Sequence, residues 1–166
     1  MKENAMSIYE PANYDIRNAV PPLVGRVRSA LLTALEERFA PFDIKPADYI
    51  VLASLAHDVA DTASAVCSLM AHDPGAMTRK IDALEERGLL RRVRSAEDRR
   101  TIKLELTAEG RRIFPKILAV AVEVANDFLR GFSRTEVRQL ESMLGRMLEN
   151  ADAAGVWMPQ LKEARR

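Results

Sequence analysis

The sequence predicts a mainly α-helical chain interrupted by one small β-hairpin, and three observations carry that expectation. Aromatic residues are only 5% of the 166 positions while Leu, Ala, Arg and Glu are plentiful, a bias toward helix. Apolar residues recur at three-four spacing over most of the length. Between Leu89 and Leu106 the period drops to two, with charged residues interleaved. With 48% hydrophobic residues the chain can fold alone, as one domain or as two small interleaved lobes.

The elements follow in order. Leu23, Val27, Ala30, Leu31, Ala34, Leu35 and Arg38 mark one face of a helix from about Pro22 to Phe39. Pro21 and Pro22 are expected to separate it from a turn or kinked lead-in over Tyr14 to Val20. A second helix opens at Pro46, with Asp48 set against the positive end of the dipole, and stops near His57. Asp61 and Thr62 cap a third over Ala63 to Met70. After a turn, Asp73 caps and Pro74 begins a fourth that buries Met77, Ile81 and Leu84 and ends at Gly88. Leu89 to Arg94 and Thr101 to Leu106 read as two strands, the second with Ile102, Leu104 and Leu106 turned inward. Thr107 caps a long helix reaching Phe128 or Leu129, which Pro115 should kink. Ser133 and Glu136 form a capping box for the last, whose Val137, Leu140, Leu144, Met147 and Leu148 approximate a heptad seam.

Composition narrows the function classes. The 25 Lys and Arg against 24 Asp and Glu exclude a uniformly basic coating protein and an acidic disordered tail. No apolar run approaches the roughly 18 residues of a membrane span. The first ten residues lack the apolar stretch of a signal peptide, so a cytoplasmic protein is expected. A single cysteine, Cys67, rules out an internal disulfide framework and a cysteine-based zinc knuckle. No cofactor is expected, because there is no Gly-rich phosphate loop, nucleophile motif or convincing metal set. For the same reason an enzyme is the weaker rival. His57 with Asp61, or His72 with Asp73, could be imagined as metal ligands, but a helix break separates the first pair. Cys67, flanked by Val66, Leu69 and Met70, reads as a small buried hydrophobe rather than a sensor.

Charge is distributed unevenly. From Arg87 to Lys103 seven basic residues face two acids, a balance of +5, which leaves the remainder at −4. Two short helices joined by a turn and followed at once by a basic hairpin make the winged variant of the helix-turn-helix. Such a second helix can enter a major groove while the loop between strands reaches a minor groove. With Met77, Ile81 and Leu84 inward, the opposite face carries Gly75, Ala76, Arg79, Lys80 and Ala83. Small residues permit close approach to base edges. Arg79 can bond a guanine edge, Thr78 or Lys80 a phosphate, and Arg92 and Lys103 are phosphate candidates on the strands. The plainer alternatives are a solvated strand face, and an exposed Arg79–Lys80 pair balancing Asp82, Glu85 and Glu86.

These residues form an ordered series: Asp73-Pro74-Gly75-Ala76-Met77-Thr78-Arg79, then Leu84-Glu85-Glu86-Arg87-Gly88-Leu89, then Glu97-Asp98-Arg99-Arg100, then Leu106-Thr107-Ala108-Glu109-Gly110. The series resembles the MarR (multiple antibiotic resistance regulator) family of bacterial transcription factors, by motif over about Ile44 to Arg112 and by helix order throughout. The resemblance implies a winged-helix homodimer that represses promoters and is released by small aromatic or phenolic ligands. It also implies that Asp98 buttresses Arg100 for a minor groove, with Arg99 a second candidate at the tip. Lys45, Lys80, Cys67 and Pro115 depart from the family pattern, though none touches the wing signature.

The expected organisation is therefore 1–43 and 113–166 as a helical dimerisation region around a DNA-binding lobe over 44–112. The seams of the terminal helices and the tail Val156-Trp157-Met158 offer more apolar surface than a small lobe can cover, although a monomeric helical core would show the same seam. The expected partners are a pseudo-palindromic duplex DNA, a second copy of the chain and a small effector. A pocket between the lobes using Arg17, Arg28, Tyr49 or His57 is expected for that effector. The rival readings are a helical protein-interaction module whose hairpin docks an acidic partner, and a redox- or metal-responsive form of the same regulator.

Overall fold

A computed structural model of the chain describes residues 7–70, 73–95, 98 and 100–155. Among the described residues six α-helices and one hairpin follow in the order α1 (Val20–Phe39), α2 (Pro46–Ala56), α3 (Ala63–Met70), α4 (Pro74–Glu86), β1 (Leu90–Arg94), β2 (Ile102–Leu106), α5 (Ala108–Phe128) and α6 (Arg134–Ala153). A short 3-10 turn, Ala40–Phe42, links α1 to α2. None of the described helices is long and apolar enough to cross a membrane.

Pro21 and Pro22 do not break α1 but lie in its first turn, where backbone N–H groups have no intrahelical partner to lose. The helix starts at Val20, whose N–H donates to the Tyr9 hydroxyl at 3.0 Å, so the lead-in segment itself supplies the cap. At α2, Lys45 has no acceptor to offer as a cap; Asp48 instead accepts the Lys45 N–H at 2.9 Å. Thr62 caps α3 through the Ala65 N–H, and Asp73 caps α4 through the Ala76 N–H at 2.9 Å. Ser133 and Glu136 close the capping box of α6 reciprocally. That arrangement holds the Glu136 carboxyl below its ordinary pKa, chiefly through the Ser133 backbone N–H. α5 is continuous through Pro115, which stands exposed in its second turn and withholds one bond from the Arg111 carbonyl.

The core gathers Phe39 from α1, Val51 and Leu52 from α2, Val66 from α3, Met77, Ile81 and Leu84 from α4, Leu90, Leu104 and Leu106 from the hairpin, and Ile117 from α5. β1 and β2 pair antiparallel with Leu90 opposite Leu106, Arg92 opposite Leu104 and Arg94 opposite Ile102. The outer edge of β2 is covered, since the Leu104 N–H donates to the Asp61 carbonyl at 2.7 Å. Ile102 corrects the inward expectation for β2: it is 54% exposed, because the core ends one rung earlier at Leu104.

One junction fixes the hairpin and α5 relative to α4. Gly88 turns the chain with φ +66°, a region that favours glycine. The next carbonyl, that of Leu89, accepts the Thr107 N–H at 3.2 Å, while the Thr107 hydroxyl donates to the Gly88 carbonyl and accepts the Gly110 N–H. A side chain at Gly110 would place its Cβ 2.0 Å from the Leu89 oxygen, so only glycine fits. Gly110→Ala should therefore lower unfolding stability by about 2–3 kcal/mol, read from urea denaturation. An unchanged midpoint would show that this contact does not constrain the fold.

Candidate nucleic-acid interface

α4 is held from three sides. Its inner face, Met77, Ile81 and Leu84, is buried. On one flank the Lys80 Nζ bonds the Asp48 carboxylate on α2 at 2.8 Å, with only 19% and 11% of the two side chains exposed. On the other flank Arg92 of β1 bonds Asp82 at 2.6 Å and also Glu85, while the Arg92 backbone N–H donates to Glu85 at 2.8 Å. The bond to Asp82 raises the Arg92 pKa above its ordinary value; partial burial opposes this and Glu85 reinforces it. The guanidinium is thus a rivet between recognition helix and hairpin.

The outward face is left open. Gly75, Thr78, Arg79 and Ala83 are exposed and Ala76 is half-buried. The side chain of Arg79 makes no hydrogen bond or ion pair with a described residue. A Cβ on Gly75 would lie 3.1 Å from Asp73 Oδ1, so glycine leaves the capping carboxylate room. Thr78 donates its hydroxyl proton to the Pro74 carbonyl at 3.0 Å. It must turn away from that carbonyl before it can donate to a phosphate.

The hairpin's charge differs from its count in the sequence. Arg87 faces Asp43, Arg91 faces Glu105, Arg92 faces Asp82 and Glu85, and Lys103 faces Asp61 at 3.2 Å. Each of these acids lies outside the span from Arg87 to Lys103, so four of its seven cations are matched by tertiary partners. Lys80, Arg92 and Lys103 are therefore internal ties in the unbound chain. Arg94 and Arg100 are exposed without a side-chain partner among the described residues. Arg99 and Glu97 lie outside the described residues.

Asp98 also acts differently from the expectation that it grips the Arg100 guanidinium. Its carboxylate accepts the Arg100 backbone N–H at 2.9 Å and the Thr101 hydroxyl at 3.0 Å, and its carbonyl accepts the Thr101 N–H at 2.9 Å. A short carboxylate reaches the N–H two residues on more easily than the end of an arginine, so it shapes the turn and leaves the guanidinium outward.

The effector candidates separate. Tyr49 packs between Phe39 and Phe114 with ring centres 5.3 and 6.4 Å away, and His57 meets Phe114 edge-on at 5.6 Å. Burial raises the Tyr49 pKa. Arg17 instead bonds Asp15 on the exposed lead-in, and Arg28 is exposed on α1. A cleft of about 520 Å³ lies nearby, bounded by Leu55 and Ala56 of α2, Leu106 of β2, and Arg111 and Phe114 of α5. None of the four candidates lines it; the rings of Tyr49 and His57 meet its Phe114 wall. Among the described residues no group of three or more His, Cys, Asp or Glu is gathered to hold a metal; His72 is not among them.

A capped helix presenting a small-residue N-terminus and an open arginine, riveted to a hairpin with outward guanidinium groups, defines a winged helix-turn-helix protein of the DNA-binding class. Comparison with known proteins agrees. Residues 42–101 match the model of the MarR family. The transcriptional repressor MdtR of Bacillus subtilis (strain 168) is 28% identical over 83% of this chain and 86% of its own length. The structure of CouR from Rhodococcus jostii RHA1, bound to p-coumaroyl-CoA, superposes with TM-score 0.73 and 26% identity over 80% of this chain and 94% of that one. A cysteine variant of MarR from E. coli, complexed with operator DNA, does so with TM-score 0.69 and 25% identity over 81% of this chain and 99% of that one. The chain is thus similar to MarR-family transcriptional regulators, by the family model over residues 42–101 and by likeness to known regulators over most of its length.

The tie between α4 and the hairpin is testable without DNA. Arg92→Gln should lower unfolding stability by about 1–2 kcal/mol. A double-mutant cycle with Glu85→Gln should return a coupling of about 0.5–1.5 kcal/mol. Strict additivity would mean that the contact is not an energetic tie.

Proposed function

We propose that the chain is a homodimeric repressor that reads a pseudo-palindromic DNA operator and is released by a small aromatic effector. The observation that carries the DNA reading is the open outer face of α4, with Arg79 unpaired among the described residues above a glycine- and alanine-lined helix start. In this reading α4 lies in the major groove, where Arg79 bonds a guanine edge and Gly75 and Ala76 allow the approach. Arg100, directed outward by the turn that Asp98 shapes, reaches the adjacent minor groove with Arg99. Thr78 contributes a phosphate contact. Lys80, Arg92 and Lys103 serve chiefly by fixing the lobe, since each is held by a carboxylate.

Residues 1–43 and 113–166 form the dimerisation region in this account. No residue of α6 is buried, and Leu140, Met143, Leu144, Met147 and Leu148 are between 38% and 58% exposed along it. α1 shows Leu23, Val24 and Val27 in the same condition. Most helical stability in proteins comes from packing of an apolar face, and a second copy would cover these stripes. Such a dimer sets two α4 helices about one DNA turn apart, roughly 10 bp.

Repression is supported by the likeness to MdtR, a transcriptional repressor. The effector reading rests on the Phe114 wall shared by the cleft and the Tyr49–His57 cluster, and on the likeness to CouR, which binds p-coumaroyl-CoA. A ligand wedged against Phe114 favours one angle between α5 and α2, and release follows if that angle mismatches the half-site spacing.

Selection from random duplexes at physiological salt should enrich a pseudo-palindrome with half-sites about 10 bp apart, and absence of enrichment would overturn the reading. On the selected duplex, Arg79→Ala should cost about 1–3 kcal/mol and flatten base preference at one position per half-site. An unchanged ranking of sequences would remove Arg79 from the reading role.

A further inference from the structure

The inner face of the hairpin extends past the core it covers. Because directly opposed residues of an antiparallel pair share a face, Leu90 with Leu106, Arg92 with Leu104, and Arg94 with Ile102 form three rungs on one side of the sheet. The first rung is buried on both strands. In the second, Leu104 is buried and Arg92 is tied to α4. The third stands clear: Ile102 is 54% exposed, and the Arg94 side chain is exposed with no partner among the described residues.

The direction of this overhang is set by bonds already described. The Leu89 N–H donates to the Leu84 carbonyl, and Arg92 then meets Glu85 and Asp82, so β1 runs back along α4 toward its N-terminal half. Two further residues advance the strand by roughly 6–7 Å. That carries Arg94 beyond the acids that hold Arg92, to the side of the lobe where Arg79 is open. An isoleucine exposed beside an unpaired arginine gives a surface with one apolar and one cationic half. A deoxyribose-phosphate unit has the same two halves, an apolar sugar edge and an anionic oxygen pair.

We propose that the Arg94–Ile102 rung grips the DNA backbone between the groove read by α4 and the groove reached by the hairpin turn. The Arg94 guanidinium takes a phosphate, and Ile102 lies against the neighbouring sugar. This rests on the DNA-binding reading above and adds a backbone contact that the family motif does not mark. It also accounts for a cation in β1 that has no partner among the described residues while Arg91 and Arg92 each have one.

The test uses the full chain and the duplex enriched from the random pool, with affinity measured across a series of salt concentrations. Arg94→Gln should weaken binding to the enriched duplex and to a scrambled one alike, by about fivefold near 0.15 M salt, and should reduce the slope of log affinity against log salt by about 0.9. Arg94→Lys should restore most of that slope. Ile102→Ser should weaken both duplexes without changing the slope. Unaltered affinity and slope in Arg94→Gln, with the parent still selective, would overturn the rung and leave the DNA reading standing. A parent chain that enriches no duplex would overturn both. Because the Arg94 side chain has no partner among the described residues, the thermal midpoint of Arg94→Gln should match the parent; a drop would assign the residue to the fold instead.

Discussion

The lobe depends on the immobilisation of α4 by charge pairs on both flanks. Burial of Met77, Ile81 and Leu84 fixes which face of the helix is inward, but an apolar stripe alone permits sliding and rolling. Lys80 on Asp48 resists motion on one side, and Arg92 on Asp82 and Glu85 resists it on the other. The Gly88–Thr107–Gly110 junction then sets the hairpin and α5 in place behind it. Gly75, Thr78 and Arg79 remain outward over the first half of the helix. Preorganisation of this kind lowers the ordering cost of binding, so it benefits affinity even though none of these groups needs to touch a ligand.

The same pairs change the meaning of the charge distribution. A balance of +5 between Arg87 and Lys103 is visible in the sequence. It could not distinguish cations that meet solvent from cations that meet Asp43, Asp61, Asp82, Glu85 or Glu105. Lys80 and Asp48 are 32 positions apart, and no periodicity connects them. Local signals were legible because their physics is local: the caps at Thr62, Asp73, Thr107 and Ser133, and the φ-positive glycine at 88, each act within a few residues of their own position. The early glycine of α5 was also a signal, since glycine at a helix start invites a close backbone approach, yet its partner Leu89 emerges only in the folded chain. Arg94 is not distinguished from Arg91 and Arg92 in the sequence, because a strand face cannot be ranked by exposure until the end of the core is known.

The helices outside the lobe make the complementary case. The seam of α6 was legible as a heptad-like pattern, and among the described residues none of its side chains is buried. Tyr9 and Tyr14 pack edge-on at 5.3 Å and close the lead-in over the start of α1, while Ile8 and Ile16 stay exposed. Apolar side chains left in water on ordered elements at both ends of the chain fit a surface shared with a twin. In the proposed dimer, a lobe held by internal pairs and carried on shared helices would move as a unit, and a change near Phe114 would alter the spacing of two lobes without disturbing either surface.

The central claim is that α4 is held by its own protein while Arg79 is left for DNA. A crystal structure of the chain on its selected duplex tests this most directly. The account predicts that Arg92 still bonds Asp82 and Glu85, that Lys80 still bonds Asp48, and that Arg79 has reached a base edge. Arg92 or Lys80 found on phosphates, with their carboxylates abandoned, would contradict it.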